Sequence, residues 1–198
     1  DHFGCGGSFG KVAYSTRRQL IGGAGSRLIY VKDRETGKHF CANQLFTATP
    51  HDFHQAHIVP GGHTVIGEEL GIRVTLSLTA PTKGYAELWK VEIENRTDKV
   101  RDLSIYAHAG LRADYTGHNS YTLADWNDQL GGVLYSHVAY PEPGRLHYEH
   151  EHLYFCSTYP VNSYTTSQDK FKGLYRGFDA PICMEWDQLP NNGSSYND

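Results

Sequence analysis

Histidine is the residue type with the most chemistry to offer in this sequence: there are 12 among 198 residues. His51, His54 and His57 recur at every third position, and His63 follows. Imidazoles gathered by a loop would suit zinc or another divalent metal. A strand would instead splay positions of odd spacing onto opposite faces, and no helical pattern surrounds them. Loop histidines without a metal are therefore the expectation. His147, Glu149, His150, Glu151 and His152 form a second group. On a strand, His150 and His152 share a face with Tyr148, while Glu149 and Glu151 share the other. Such a face reads as exposed and polar, with cross-strand pairs rather than a metal.

Other constellations are incomplete. Pro60-Gly61-Gly62-His63-Thr64 and Gly67-Glu68-Glu69-Leu70 lack the intervening His-x-His of a cupin metal site. Gly4-Cys5-Gly6-Gly7-Ser8-Phe9-Gly10 has no following Lys-Ser/Thr to hold a phosphate. No serine sits in Gly-x-Ser-x-Gly. His108 and His137 could serve as acid/base groups in a sandwich concavity, but neither has a partner identifiable by spacing. Residues 111–128 are the most informative stretch. They lie between two strand patterns, too long for a tight hairpin, and long connections in compact domains are usually functional or disordered. They carry Tyr115, Tyr121 and Trp126 with Asp, Asn and His between them. Aromatic faces stack on sugar rings, and short amides and carboxylates bond hydroxyls. Asp114, Asn119, Tyr121 and Trp126 are accordingly the candidate substrate-binding residues. No catalytic residue and no metal ligand is assigned.

The elements that would position these residues have a period of two. Ile72-Arg73-Val74-Thr75-Leu76-Ser77-Leu78 places four aliphatics on one face and polar residues on the other, a half-buried strand. Trp89, Val91 and Ile93 repeat the pattern, Asn95 to Lys99 form a polar turn, and Leu103 and Ile105 resume it. That combination reads as an antiparallel hairpin. These nine apolar residues are the expected core. Further strands are expected over 27–32, 132–140, 146–158 and 182–186, with a tight turn at Arg34-Glu35-Thr36-Gly37-Lys38. No capped 3.6-period stripe appears, so the fold class is all-β, a two-sheet sandwich or closed sheet. One domain is expected over 1–187, with a polar, linker-like tail at 188–198.

Composition narrows the function classes. With 18 Lys and Arg against 22 Asp and Glu the net charge is −4, and basic residues never exceed two in a row. Neither a nucleic-acid footprint nor a basic membrane patch is expected. No apolar run approaches a membrane span, and no signal peptide opens the chain. The absence of Met at position 1 suggests a processed or excised form. Cys5, Cys41, Cys156 and Cys183 are widely spaced, which reads as free thiols of a reducing cytoplasm.

Four segments in order resemble one family. Tyr30-Val31-Lys32-Asp33-Arg34-Glu35-Thr36-Gly37, Gly71-Ile72-Arg73-Val74, the run from Ala86 to Lys99 with Leu103-Ser104-Ile105-Tyr106, and Asp169-Lys170-Phe171-Lys172-Gly173-Leu174-Tyr175-Arg176-Gly177 are similar to motifs of the cellobiose phosphorylases. These are inverting phosphorylases of glycoside hydrolase family 94, formerly classed with glycosyltransferases. The resemblance covers about residues 26–186. It implies a β-supersandwich of the galactose mutarotase type, followed in the parent by an (α/α)6 barrel that carries the general acid. It implies no organic cofactor, inorganic phosphate as co-substrate, a disaccharide or oligosaccharide substrate, the downstream barrel as partner, and a homodimeric parent. By this resemblance residues 111–128 match a loop that helps close the active site. The leading reading is a non-catalytic domain of such an enzyme, so this fragment alone would not be an enzyme. A mutarotase-like epimerase and a carbohydrate-binding module are the alternatives.

Overall fold

The computed structural model describes residues 8–9, 12–14, 27–43, 51–81, 86–113, 120–139, 149–192 and 195–197. In chain order the strands are β1 (Ser8–Phe9), β2 (Val12–Tyr14), β3 (Arg27–Asp33), β4 (His39–Cys41), β5 (Phe53–Val59), β6 (Gly62–Glu69) and β7 (Ile72–Thr79). They continue as β8 (Leu88–Asn95), β9 (Leu103–Ala109), β10 (Leu111–Ala113), β11 (Ser120–Asn127), β12 (Gly132–Ala139), β13 (Glu149–Cys156) and β14 (Ser195–Asn197). The one α-helix among the described residues, α1 (Gln168–Lys172), is five residues long. The fold is all-β, as the period-two reading requires.

The strands form sheets in the orders β1-β2-β10, β4-β3-β9, β5-β6-β7-β8 and β13-β12-β11-β14. Every strand pairing within them is antiparallel. The main core lies between two of these sheets. Ile72, Val74, Leu76 and Leu78 of β7 meet Ile29, Val31, Phe40 and Ala42, with Trp89, Val91 and Leu103 packed around them. Each fully buried aliphatic here contributes roughly 1.5–3 kcal/mol relative to exposure. Of the expected core, Ile93 and Ile105 are instead partly exposed, on β8 and β9, which are edge strands among the described residues.

The β3 strand is covered on both faces. Ile29 and Val31 point into the main core, while Leu28 and Tyr30 enter a second cluster with Cys41, Tyr106, Phe171, Cys183 and Met184. That cluster is closed by the chain after α1. The Tyr30 hydroxyl donates to the Phe178 carbonyl at 2.6 Å, and Lys32 Nζ donates to the Trp186 carbonyl at 2.8 Å. Residues 182–185, expected as a strand, form a 3-10 turn that buries Cys183 and Met184. An isolated apolar tetrapeptide cannot signal its period, and here it packs on a sheet rather than pairing with one.

Three connections also differ from expectation. Asn95 to Lys99 do not close a hairpin: β8 pairs with β7 and β9 with β3, so this turn carries the chain between sheets. Arg101 fixes that crossover, donating to the Leu70 carbonyl at 2.9 Å and to Asp33 Oδ2 at 2.7 Å. The supposed loop at 111–128 contains β11, which pairs with β12 along its whole length. The 188–198 stretch is tied in as well. Leu189 packs on the second cluster, Leu189 N–H donates to Ser163 Oγ at 3.1 Å, and β14 pairs with β11.

Asp33 shows why the turn of the Tyr-Val-Lys-Asp segment needs its residues. Its Oδ1 accepts the backbone N–H groups of Glu35 (2.9 Å) and Thr36 (3.3 Å), while Gly37 takes φ 72° to close the turn. Burial works to raise the Asp33 carboxyl, but Arg101 and those N–H donors outweigh it and hold the group below its ordinary range.

Candidate functional site

The 111–128 segment was the candidate sugar-contacting region, and the structure divides it. Asp114 and Asn119 lie outside the described residues. Tyr121 stands on β11 opposite Val138, and Trp126 on the same strand opposite Val133. They are five residues apart with no bulge in the register, which puts positions 121 and 126 on opposite faces of the sheet.

Trp126 is half-buried and well held. Its indole stacks on Tyr164 with ring centroids 4.7 Å apart and planes 17° from parallel, and its Nε1–H donates to Asp128 Oδ1 at 2.8 Å. Tyr164 is in turn fastened from 27 residues away. Its N–H donates to Asn191 Oδ1, and the Asn191 N–H donates to the Tyr164 carbonyl, both at 2.9 Å. Asn191 adopts φ 48°, a left-handed conformation that Asn tolerates better than most residues. Two aromatic rings and a carboxylate are thus held on a rigid strand and a doubly bonded loop. The arrangement can present an apolar face and a hydrogen-bond acceptor to a ligand. Sequence reasoning singled out Trp126 as a candidate but did not join it to Tyr164 and Asn191, which only long-range pairing brings to it.

The histidines do not form a metal centre among the described residues. The first group is not in a loop: His54 and His57 lie on β5, and His63 on β6 pairs with Ile58. His51 Nδ1 is 4.0 Å from Glu69 Oε2, and its ring packs against Phe40 and His54. Burial lowers the His54 imidazole below its usual value, and the neighbouring His51 adds to this. In the second group, His152 Nδ1 shares a 3.0 Å hydrogen bond with Ser136 Oγ on the adjacent strand, the cross-strand pair expected there. His147 and Tyr148 lie outside the described residues.

His108 sits against the second core cluster, its ring centroid 5.0 Å from Phe171 and 4.8 Å from Phe178. Its Nδ1 is buried with no hydrogen-bond partner among the described residues. Burial alone pushes the imidazole down to about 4, so at neutral pH it is an uncharged ring in an aromatic niche. Among the described residues no carboxylate is bonded to orient it, as an acid/base histidine would require. His137 lies on β12, paired with Glu151 in register.

A second polar group, not anticipated from the sequence, joins three sheets. Arg27 at the start of β3 donates to both Glu87 oxygens, at 2.6 and 2.8 Å, and Trp89 Nε1 donates to Glu87 Oε1 at 2.6 Å. The Trp89 ring lies 5.2 Å from Phe155 on β13. Burial lowers the nearby His63 imidazole, and the Arg27 charge lowers it further. With both carboxylate oxygens engaged, Glu87 serves as a clamp rather than a free base. Cys41 and Cys183 are buried, and burial pushes the Cys183 thiol up to about 12, which makes it unreactive. Cys156 is free and exposed.

The family model of the glycosyl hydrolase 94 supersandwich domain matches residues 14–198. The chain belongs to that family. Its sheets and crossovers are therefore those of a supersandwich, and the Asp33 turn and the α1 segment, which carried the resemblance, do structural work within it. A cellobionic acid phosphorylase of Neurospora crassa is 28% identical over 179 residues, covering 86% of this chain and 22% of that protein. An N,N'-diacetylchitobiose phosphorylase of Vibrio proteolyticus is 28% identical over 136 residues, covering 64% of this chain and 16% of the relative. Its counterpart from Vibrio furnissii is 27% identical over 133 residues. The chain spans about a fifth of the length of these curated relatives. Among the described residues no helix is long and apolar enough to cross a membrane.

Proposed function

We propose that this chain is the non-catalytic supersandwich domain of a cytoplasmic inverting glycoside phosphorylase, where it shapes the carbohydrate site. The observation that carries the reading is the family match over 14–198, joined to relatives that are all phosphorylases of disaccharide-derived substrates by name. In the parent enzyme a carboxylic acid outside this chain protonates the glycosidic oxygen. Inorganic phosphate attacks the anomeric carbon from the opposite face, the glycosidic bond breaks, and the sugar phosphate leaves with inverted configuration. Phosphate replaces the activated water of an inverting hydrolase, so no second carboxylate base is needed.

The domain's contribution is a rim. Trp126, stacked on Tyr164 with Asp128 at its indole N–H, supplies an apolar face for a pyranose ring. Asp114 and Asn119 of the same segment are the further sugar contacts of this reading, whereas position 121, on the opposite face of β11 from Trp126, is left out of the rim. The partners are the downstream barrel and a second subunit of the parent, with no nucleic acid, no membrane and no organic cofactor. The test is phosphate-dependent release of sugar 1-phosphate from a disaccharide panel by the full-length protein, with and without Trp126→Ala. The rim reading requires a raised KM or lowered kcat/KM in the variant. Unchanged kinetics with a fall in melting temperature would reduce Trp126 to packing.

A further inference from the structure

The two rings of the Trp126–Tyr164 stack sit on separate segments, and one stretch of chain, 189–192 with β14 after it, engages both. Its residues suit it to lie extended along a neighbour: Pro190 fixes its own φ and keeps Leu189 out of the helical region. Leu189 packs on the second core cluster while its N–H donates to Ser163 Oγ at 3.1 Å. Asn191, at φ 48°, brackets Tyr164: its N–H donates to the Tyr164 carbonyl and its Oδ1 accepts the Tyr164 N–H, both at 2.9 Å. Asn192 forms a bridge with Thr165, and its Oδ1 accepts the Thr165 hydroxyl at 2.7 Å. Ser163, Tyr164 and Thr165 are thus each bonded to this stretch. β14 then pairs Ser195 with Ala124, Tyr196 with Leu123 and Asn197 with Thr122, on the strand that carries Trp126.

The sharing has a mechanical consequence. Trp126 is fixed by the β11–β12 ladder, whereas Tyr164 lies in irregular chain between β13 and α1. The backbone N–H and carbonyl of Tyr164 are held by Asn191 instead. A stack with centroids at 4.7 Å tolerates little drift. A gap of about 0.5–1 Å already forfeits a quarter to a half of a van der Waals contact. Whatever moves Asn191 therefore moves the ring that backs the indole.

We infer that 189–192 and β14 form a strap that sets the geometry of the sugar-contacting rim, with Asn191 as a positioning residue acting through Tyr164 on the Trp126 indole. This rests on the rim proposed above and adds that sugar affinity is set by a residue 27 positions from the ring it holds. The test replaces Asn191 by Gly and by Asp. Glycine keeps the left-handed backbone and the N–H but removes the acceptor, so backbone strain does not enter. Aspartate restores the acceptor and tolerates the same backbone. In the 198-residue chain, the near-ultraviolet circular dichroism that Trp126→Phe removes defines the signal of the stack. Asn191→Gly should reduce that signal and Asn191→Asp should bring it back, with melting curves verifying that each variant is folded. In the full-length enzyme, disaccharide phosphorolysis by Asn191→Gly should show KM raised about fivefold, the factor one ordinary hydrogen bond carries, at unchanged kcat. Asn191→Asp should return KM to the native value. A stack signal or KM indifferent to Asn191→Gly, a loss that Asn191→Asp does not restore, or a fall in kcat at unchanged KM would each overturn the strap. Trp126→Ala separates the two readings. If it leaves KM unchanged, the rim fails and the strap with it; if it raises KM while Asn191→Gly does not, the rim stands and the strap alone fails.

Discussion

His108 makes the acid stability of this domain predictable. The ring is enclosed by Phe171 and Phe178, its Nδ1 has no partner among the described residues, and burial holds its proton affinity down to about 4 against an ordinary value of 6.5. Above pH 6.5 the ring is neutral in both folded and unfolded chains, and it imposes no pH dependence. Between 6.5 and 4 the unfolded chain binds a proton that the folded chain refuses, so stability falls as pH falls. At about 1.4 kcal/mol for each pH unit between the two values, the loss is about 1 kcal/mol at pH 5.5 and about 3 kcal/mol by pH 4. His39, His54 and His63 are lowered too and act with the same sign. The informative quantity is therefore the difference between the native chain and His108→Leu. Leucine fills the niche without a buried, unsatisfied nitrogen. Urea unfolding followed by tryptophan fluorescence at pH 7.5, 5.5 and 4 measures both proteins. The variant should match or exceed native stability at pH 7.5 and exceed it by about 3 kcal/mol at pH 4. Parallel loss of stability in both proteins would refute the argument that this buried ring resists protonation.

Three further outcomes are expected. Gly67→Ala would place a Cβ 2.1 Å from the Ala42 carbonyl oxygen, a backbone atom that cannot swing aside; urea unfolding should show a loss of about 3 kcal/mol, and a loss under 0.5 would contradict the close approach of the two sheets. Asp33→Ala leaves Arg101 without its buried partner and two turn N–H groups unsatisfied, for a loss of about 3 kcal/mol by the same measurement. The purified 198-residue chain should release no sugar phosphate from cellobiose, and calorimetric titration with oligosaccharides should find only millimolar binding, about −4 kcal/mol, because the rim lacks its opposite wall; measurable phosphorolysis by this chain would overturn its non-catalytic assignment.

Local chemistry alone determined much of this fold. The alternation of Ile72, Val74, Leu76 and Leu78 with polar residues makes a half-buried strand wherever its partner lies, because a pleated chain sends successive side chains to opposite faces. The Asp33 turn was legible for a similar reason: its side chain bonds N–H groups two and three residues away. Trp126 stood out by residue type. What the sequence left open depended on contacts between distant segments. Arg27, Lys32 and Asp33 look like surface charges on a strand, yet all three are buried, because Glu87, the Trp186 carbonyl and Arg101 arrive from 60, 154 and 68 residues away. The polar turn from Asn95 to Lys99 is the same local structure in a hairpin or a crossover, and only Arg101 reaching Asp33 and Leu70 decided between them. Tyr164 gives no sign that it belongs under Trp126, since two bonds with Asn191 and the fold of the intervening sheets bring it there. Periodicity is a property of the chain's own geometry, whereas a stacked pair or a buried charge exists only once remote segments have met.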